Sequence, residues 1–143
     1  MSGNETPAGI AREWVEKAES DMKTAVHTLE LEKDCPADTV CFHAQQCAEK
    51  YLKAFFAAMG IAFPRTHEIG RLVSLLPENV NLSLTYAQQE KLTEYATVTR
   101  YPGNYEPITL AEARDAVRIA RRVRNEIRRL LPSVAIQRKK RGN

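Results

Sequence analysis

The sequence predicts an all-α protein, an up-and-down bundle of four to five helices, and three observations predict it. Apolar residues recur at steps of three and four nearly throughout, strand-like alternation is absent, and Pro and Gly stand between the periodic segments. The 143 residues suffice for one domain with a real core, without disulfide or metal staples. Residues 1–132 read as that domain and residues 133–143 as a tail.

The first helix is expected over about residues 7–32, with Trp14, Ala18, Met22 (or Asp21), Ala25 and Leu29 on one side. The second is expected over about residues 36–59. Pro36 suits its first turn, and Gly60 supplies the left-handed residue that ends it. Val40, Ala44, Cys47, Tyr51 and Phe55 form one seam, which Cys41, Ala48, Leu52, Phe56 and Met59 widen, so this helix should be central. Thr66 is expected to cap a short third helix running through Ile69, Leu72, Val73, Leu75 and Leu76 to Pro77, across one end of the bundle. Thr85 and Gln88 have the spacing of a capping box and open a fourth helix through Leu92, Tyr95 and Ala96, which Pro102 and Gly103 end. Thr109 and Glu112 repeat the device for a fifth helix over about residues 110–131, with Ala113, Ala116, Val117, Ala120, Val123, Ile127 and Leu130 facing inward and Pro132 as the stop. The remainder, with Arg138, Lys139, Lys140 and Arg141, reads as a frayed basic tail. Short connections make consecutive helices antiparallel neighbours.

Three cysteines, Cys35, Cys41 and Cys47, six residues apart, fit neither a metal knuckle nor a redox pair, and free thiols in a reducing compartment are the simpler expectation. The N-terminus lacks the basic flank and apolar run of a signal peptide, and no apolar stretch reaches the length of a membrane span, so a cytoplasmic protein without a membrane role is expected. Charge is unevenly spread. Residues 110–143 hold eleven Lys or Arg against Glu112, Asp115 and Glu126, a net +8, which leaves −5 on residues 1–109. Such polarity makes a polyanion or an acidic surface a natural partner for the C-terminal segment.

Three groups of residues bear on function. His43, Gln46, Lys50 and Lys53, with Gln45 and Glu49 beside them, share one helical face, where two ammonium groups and an amide suit phosphate oxygens and a base edge. The competing reading is a solvated seam laced by a Glu49–Lys53 pair. Arg100, Tyr101 and Tyr105 surround a Pro-Gly turn, with a guanidinium fork for phosphate and aromatic rings for stacking. Alternatively, Arg100 caps the fourth helix and the tyrosines plug the bundle end. Arg114, Arg118, Arg121 and Arg128 form a basic stripe able to face RNA or simply water. No Gly-rich phosphate loop, Cys-x-x-Cys pair or His-Glu-x-x-His helix occurs, so neither a cofactor nor a metal is expected. His27, His43 and His67 lie on separate elements without an evident catalytic partner.

The run Cys41-Phe42-His43-Ala44-Gln45-Gln46-Cys47-Ala48-Glu49-Lys50-Tyr51-Leu52-Lys53-Ala54, followed by Thr66-His67-Glu68-Ile69 and Thr99-Arg100-Tyr101-Pro102, resembles the HEPN family over about residues 11–131. The resemblance implies a helical bundle, commonly dimeric, similar to the substrate-binding domain of nucleotidyltransferases and often encoded beside a minimal nucleotidyltransferase. It implies nucleotide or RNA binding as the usual theme. Many members are metal-independent ribonucleases that use an Arg followed, after four to six residues, by a His. No such pair occurs here, which leaves Arg100 as a weak catalytic candidate. The leading expectation is a non-catalytic HEPN subunit that partners a minimal nucleotidyltransferase and binds nucleotide or RNA. The alternatives are a divergent ribonuclease toxin and a purely structural interaction module.

Overall fold

The computed structural model describes residues 6–97, 103 and 106–137, and among them there is helix but no strand. The first helix, α1 (Pro7–Leu29), starts where the Thr6 hydroxyl accepts the Gly9 N–H at 3.0 Å, with Pro7 in the first turn. It stops earlier than the pattern suggests, because Glu32 takes φ +52° at the head of a 3₁₀ turn (Glu32–Asp34). Pro36 then occupies the N-cap of α2 (Ala37–Met59), just outside the first turn. At the far end Gly60 adopts φ +68°, and the Ile61 N–H reaches back to the Phe56 carbonyl at 2.9 Å, the left-handed termination expected of this glycine.

The short α3 (Ile69–Ser74) is not capped by Thr66, whose hydroxyl accepts the Glu68 N–H ahead of the helix. The Ile69 N–H instead donates to the Thr93 hydroxyl of α4 (Tyr86–Thr97) at 3.0 Å. Both halves of the Thr85–Gln88 capping box are made, at 3.1 and 3.0 Å. The next box is half made. Thr109 accepts the Glu112 N–H at the start of α5 (Leu110–Arg128), but the Glu112 carboxylate takes the Tyr95 hydroxyl at 2.6 Å and so ties α5 to α4. Since α5 ends at Arg128, Leu130 is exposed, contrary to its expected inward place, and Leu131 enters the core. The expected tail also needs correcting at its beginning. Ser133–Ile136 forms a short α6, with Ala135 fully buried among core residues and the helix packed on α1. Residues 138–143 lie outside the described part.

Cross-helix pairs fix the topology. Late α1 meets early α2 through Asp21–His43, whereas early α1 meets late α2 through Trp14 and Lys53, so the two run antiparallel. Glu19–Arg124, with Leu29 beside Arg114 in one groove, makes α5 antiparallel to α1. Gln88–Arg122 and Tyr95–Glu112 make α4 antiparallel to α5. The four long helices therefore go up, down, up, down, with α3 against α4 and α2.

One core cluster joins all six helices, and α2 is its axis. Val40, Cys41, Ala44, Cys47, Ala48, Tyr51, Leu52, Ala54, Phe55 and Phe56 are all buried, because α1, α4 and α5 cover α2 from different sides. Apart from Met59, both seams expected from the sequence are thus consumed within the chain. Phe42 and Met59 are the large apolar residues of α2 that stay exposed.

Candidate functional site

The polar edge of α2 is occupied from within. Asp21, a buried carboxylate in the apolar stripe of α1, accepts from His43 Nδ1 at 2.7 Å and from Lys50 Nζ at 2.6 Å. Three residues on from His43, the Gln46 amide donates to Gln45 Oε1 at 2.6 Å. Glu49, with only 4 % of its side chain exposed, accepts from Lys53 Nζ at 3.0 Å on one oxygen. Its other oxygen accepts from the Gln45 amide at 3.0 Å and pairs with His67 Nδ1 at 2.8 Å. Gln45 also donates to the His67 carbonyl at 3.1 Å, and Lys53 stands over the Trp14 ring. The Glu49–Lys53 pair foreseen as a solvated seam is therefore real but buried. His43 and Lys50 turn toward Asp21 of α1, Lys53 lies between Glu49 and the Trp14 ring of α1, and Glu49 meets His67 of the α2–α3 connection, so the four residues of the stripe do not present one open face.

The two carboxylates are alike: each grips one imidazole Nδ1 and one lysine Nζ. Burial pushes the Glu49 carboxyl up, but hydrogen bonds from Gln45, His67 and Lys53, with the Lys53 charge, outweigh it and hold the group below its ordinary value. A third cluster joins α1, α2 and α5. Arg124 forks onto Glu19 at 2.7 and 2.8 Å, the Tyr51 hydroxyl donates to the same carboxylate at 2.7 Å, and Arg128 reaches the Tyr51 oxygen at 3.2 Å. Burial raises the Glu19 carboxyl, yet the Arg124 and Tyr51 hydrogen bonds and the two arginine charges bring it below its usual value. Burial, with the Glu19 hydrogen bond, pushes the Tyr51 phenol far up, so it stays a donor.

This divides the expected basic stripe. Arg128 belongs to the Glu19 cluster, and Arg122 donates to Gln88 on α4 at 2.9 Å. Arg114, Arg118 and Arg121 line a groove of about 370 Å³ between α1 and α5, over a floor of Val26, Leu29 and Val117 and with Glu30 at its side. Arg118 pairs with Asp115 at 2.6 Å on the open surface, whereas Arg114 and Arg121 make no hydrogen bond or ion pair with a described residue. Arg100, Tyr101 and Tyr105 lie outside the described residues.

Glu19, Asp21, Gln45 and Glu49 organise these clusters; the sequence places Gln45 and Glu49 only beside the candidate stripe, and Glu19 and Asp21 are not among its candidate site residues. Asp21 carried a signal, since a carboxylate at a core position of an amphipathic helix needs a buried cation. His67 carried none until the fold placed Glu49 behind it. Among the described residues, no group of His, Cys, Asp and Glu is arranged to hold a metal ion, and no helix is long and apolar enough to cross a membrane. Cys35, Cys41 and Cys47 are in no disulfide, and burial pushes the Cys47 thiol far up, which suits a packing role.

Four long antiparallel helices, of which the central α2 has its polar edge locked by carboxylate clamps, define an up-and-down helical-bundle domain. The family model of the HEPN domain matches residues 11–130, and the chain belongs to that family. The crystal structure of TT1696 from Thermus thermophilus is similar at 32 % identity, covering 85 % of this chain and 98 % of that one, with a TM-score of 0.71. No curated protein matches.

Proposed function

We propose that the protein is a HEPN-type nucleotide- or RNA-binding subunit that pairs with a minimal nucleotidyltransferase, the partner supplying the catalysis. The observation that supports this most is the α1–α5 groove, where Arg114 and Arg121 are unspent cations beside an apolar floor. The internal occupation of Lys50 and Lys53 favours that groove over the α2 edge as the seat of phosphate. Guanidinium forks hold phosphate oxygens, and a floor of Val26, Leu29 and Val117 suits the flat apolar body of a base. The net +8 of residues 110–143 draws a polyanion to the same side of the sequence. His43, Gln46, Arg100, Tyr101 and Tyr105 are carried in this reading as further candidate contacts of the same ligand.

The test is affinity purification of the full chain from its native cell, with mass spectrometry for a small nucleotidyltransferase and sequencing of bound RNA. Recovery of the transferase and of nucleotide or RNA supports the reading. Recovery of neither makes the chain a structural interaction module. Metal-independent RNA cutting by the purified protein, lost in Arg100→Ala, makes it a ribonuclease.

A further inference from the structure

We propose that His67 is a nucleophilic, phosphoryl-accepting histidine, with Nε2 as the reacting atom and the buried Glu49 carboxylate as the group that fixes and charge-balances its ring. Glu49 Oε1 lies 2.8 Å from His67 Nδ1. Since Glu49 is held ionised by Gln45, Lys53 and His67, it has no proton to give, and Nδ1 must be the donor. In the neutral ring that leaves the Nε2 lone pair free. It is also accessible, because 60 % of the His67 side chain is exposed while its Glu49 partner is buried. The ring has little freedom to turn away, for Gln45 grips the Glu49 carboxylate and the His67 carbonyl together. A nucleophile oriented by a second group, itself fixed by a third, is the arrangement that covalent chemistry at a side chain requires.

Two cations flank the ring in the chain. Arg65 and Arg71 are exposed on either side of His67, neither paired with a described residue, while Glu68, Glu90 and Glu94 line the cleft beside Arg71. The donor class is a small phosphoryl compound with a good leaving group, such as phosphoramidate. The Nε2 lone pair attacks phosphorus and forms the N–P bond as the donor's P–N bond breaks; ammonia leaves with the bonding pair, protonated from water. Nδ1 keeps its hydrogen, and the Glu49 charge offsets the positive ring.

The other two histidines supply internal controls. His27 is equally open, 64 % exposed, but its Nδ1 stands 3.7 Å from the exposed Glu30 without a hydrogen bond. His43 has a carboxylate partner in Asp21 but is only 26 % exposed. The experiment is incubation of the full-length protein with phosphoramidate, followed by peptide mass spectrometry and phosphorus NMR against time. The proposal expects His67 to be phosphorylated at Nε2 about tenfold or more faster than His27, a difference of about 1.4 kcal/mol in barrier. It expects Glu49→Gln, with helical content checked by circular dichroism, to bring His67 down toward the His27 rate. Equal rates at His67 and His27 in the native protein overturn the proposal, and so does a folded Glu49→Gln in which His67 reacts as fast as before. If that variant does not fold, the ratio in the native protein still decides.

Discussion

Asp21 and Glu49 do the same work at two heights of α2: each brings an imidazole and an ammonium group into a place that apolar packing alone would close to them. A buried pair is strongly destabilised when one partner is lost, because the other charge is stranded. Glu49→Ala should therefore cost about 3–5 kcal/mol by denaturant unfolding, whereas Arg118→Ala, which breaks an exposed pair, should cost under about 1 kcal/mol. Acid should act through the same groups. The folded-state values of Glu49 and Glu19 are depressed, so their stabilisation is present above the ordinary Glu value of 4.5 and is lost as pH falls through the lower folded values. Unfolding measured down the acid limb should show this loss beginning near 4.5, and Glu49→Gln should flatten it.

Arg100 is decided at the same scale. If it makes a bidentate phosphate contact, Arg100→Lys should weaken nucleotide or RNA binding by about 1–3 kcal/mol and leave melting nearly unchanged. Lower stability in Arg100→Ala with affinity intact would make it a helix cap. What sequence supplied here was the chemistry of single residues, such as the carboxylate at position 21. Which cation each carboxylate meets depends on the α1–α2 register and on the return of the chain at His67, neither of which local spacing encodes.

Element boundaries follow the same division. Gly60 and the Thr85–Gln88 box were legible because their hydrogen bonds close within a few residues. The start of α3 was not, since its partner is Thr93, and Glu112 abandons its expected reciprocal bond for Tyr95. Thr85→Ala should consequently cost about 1 kcal/mol in thermal or chemical unfolding, the ordinary value of a cap. The axis helix is far less tolerant: Phe56→Ala empties a fully buried site and should cost about 3–5 kcal/mol. α6 escaped notice because four residues before a basic run carry too little periodicity to announce a helix, and it is the packing of Ala135 that holds them.

For the whole molecule, the up-and-down bundle was readable from three regularities of sequence, because in a helical chain the apolar period already states which face each element buries. The surplus of apolar residues on α2 was less informative than it looked. It gives no support to a second copy of the chain, because α1, α4 and α5 cover that surface, and the dimer rests on the family resemblance. A two-chain mass by light scattering at micromolar concentration is still the expected outcome, with Phe42 and Met59 as the exposed apolar residues of α2 to substitute; a one-chain mass refutes it.

The central claim, that phosphate is held in the α1–α5 groove by arginines with no other partner, concerns charge and is read most directly by salt. The measurement is the affinity for a short single-stranded RNA across a salt series, comparing the native protein with Arg114→Gln/Arg121→Gln. Each phosphate contact on a single strand contributes about 0.7 to the slope of log affinity against log salt, so the double variant should bind more weakly at every salt and show a slope shallower by about 1.4. An unchanged affinity and slope in the folded variant would contradict the account and leave the groove a solvated exterior.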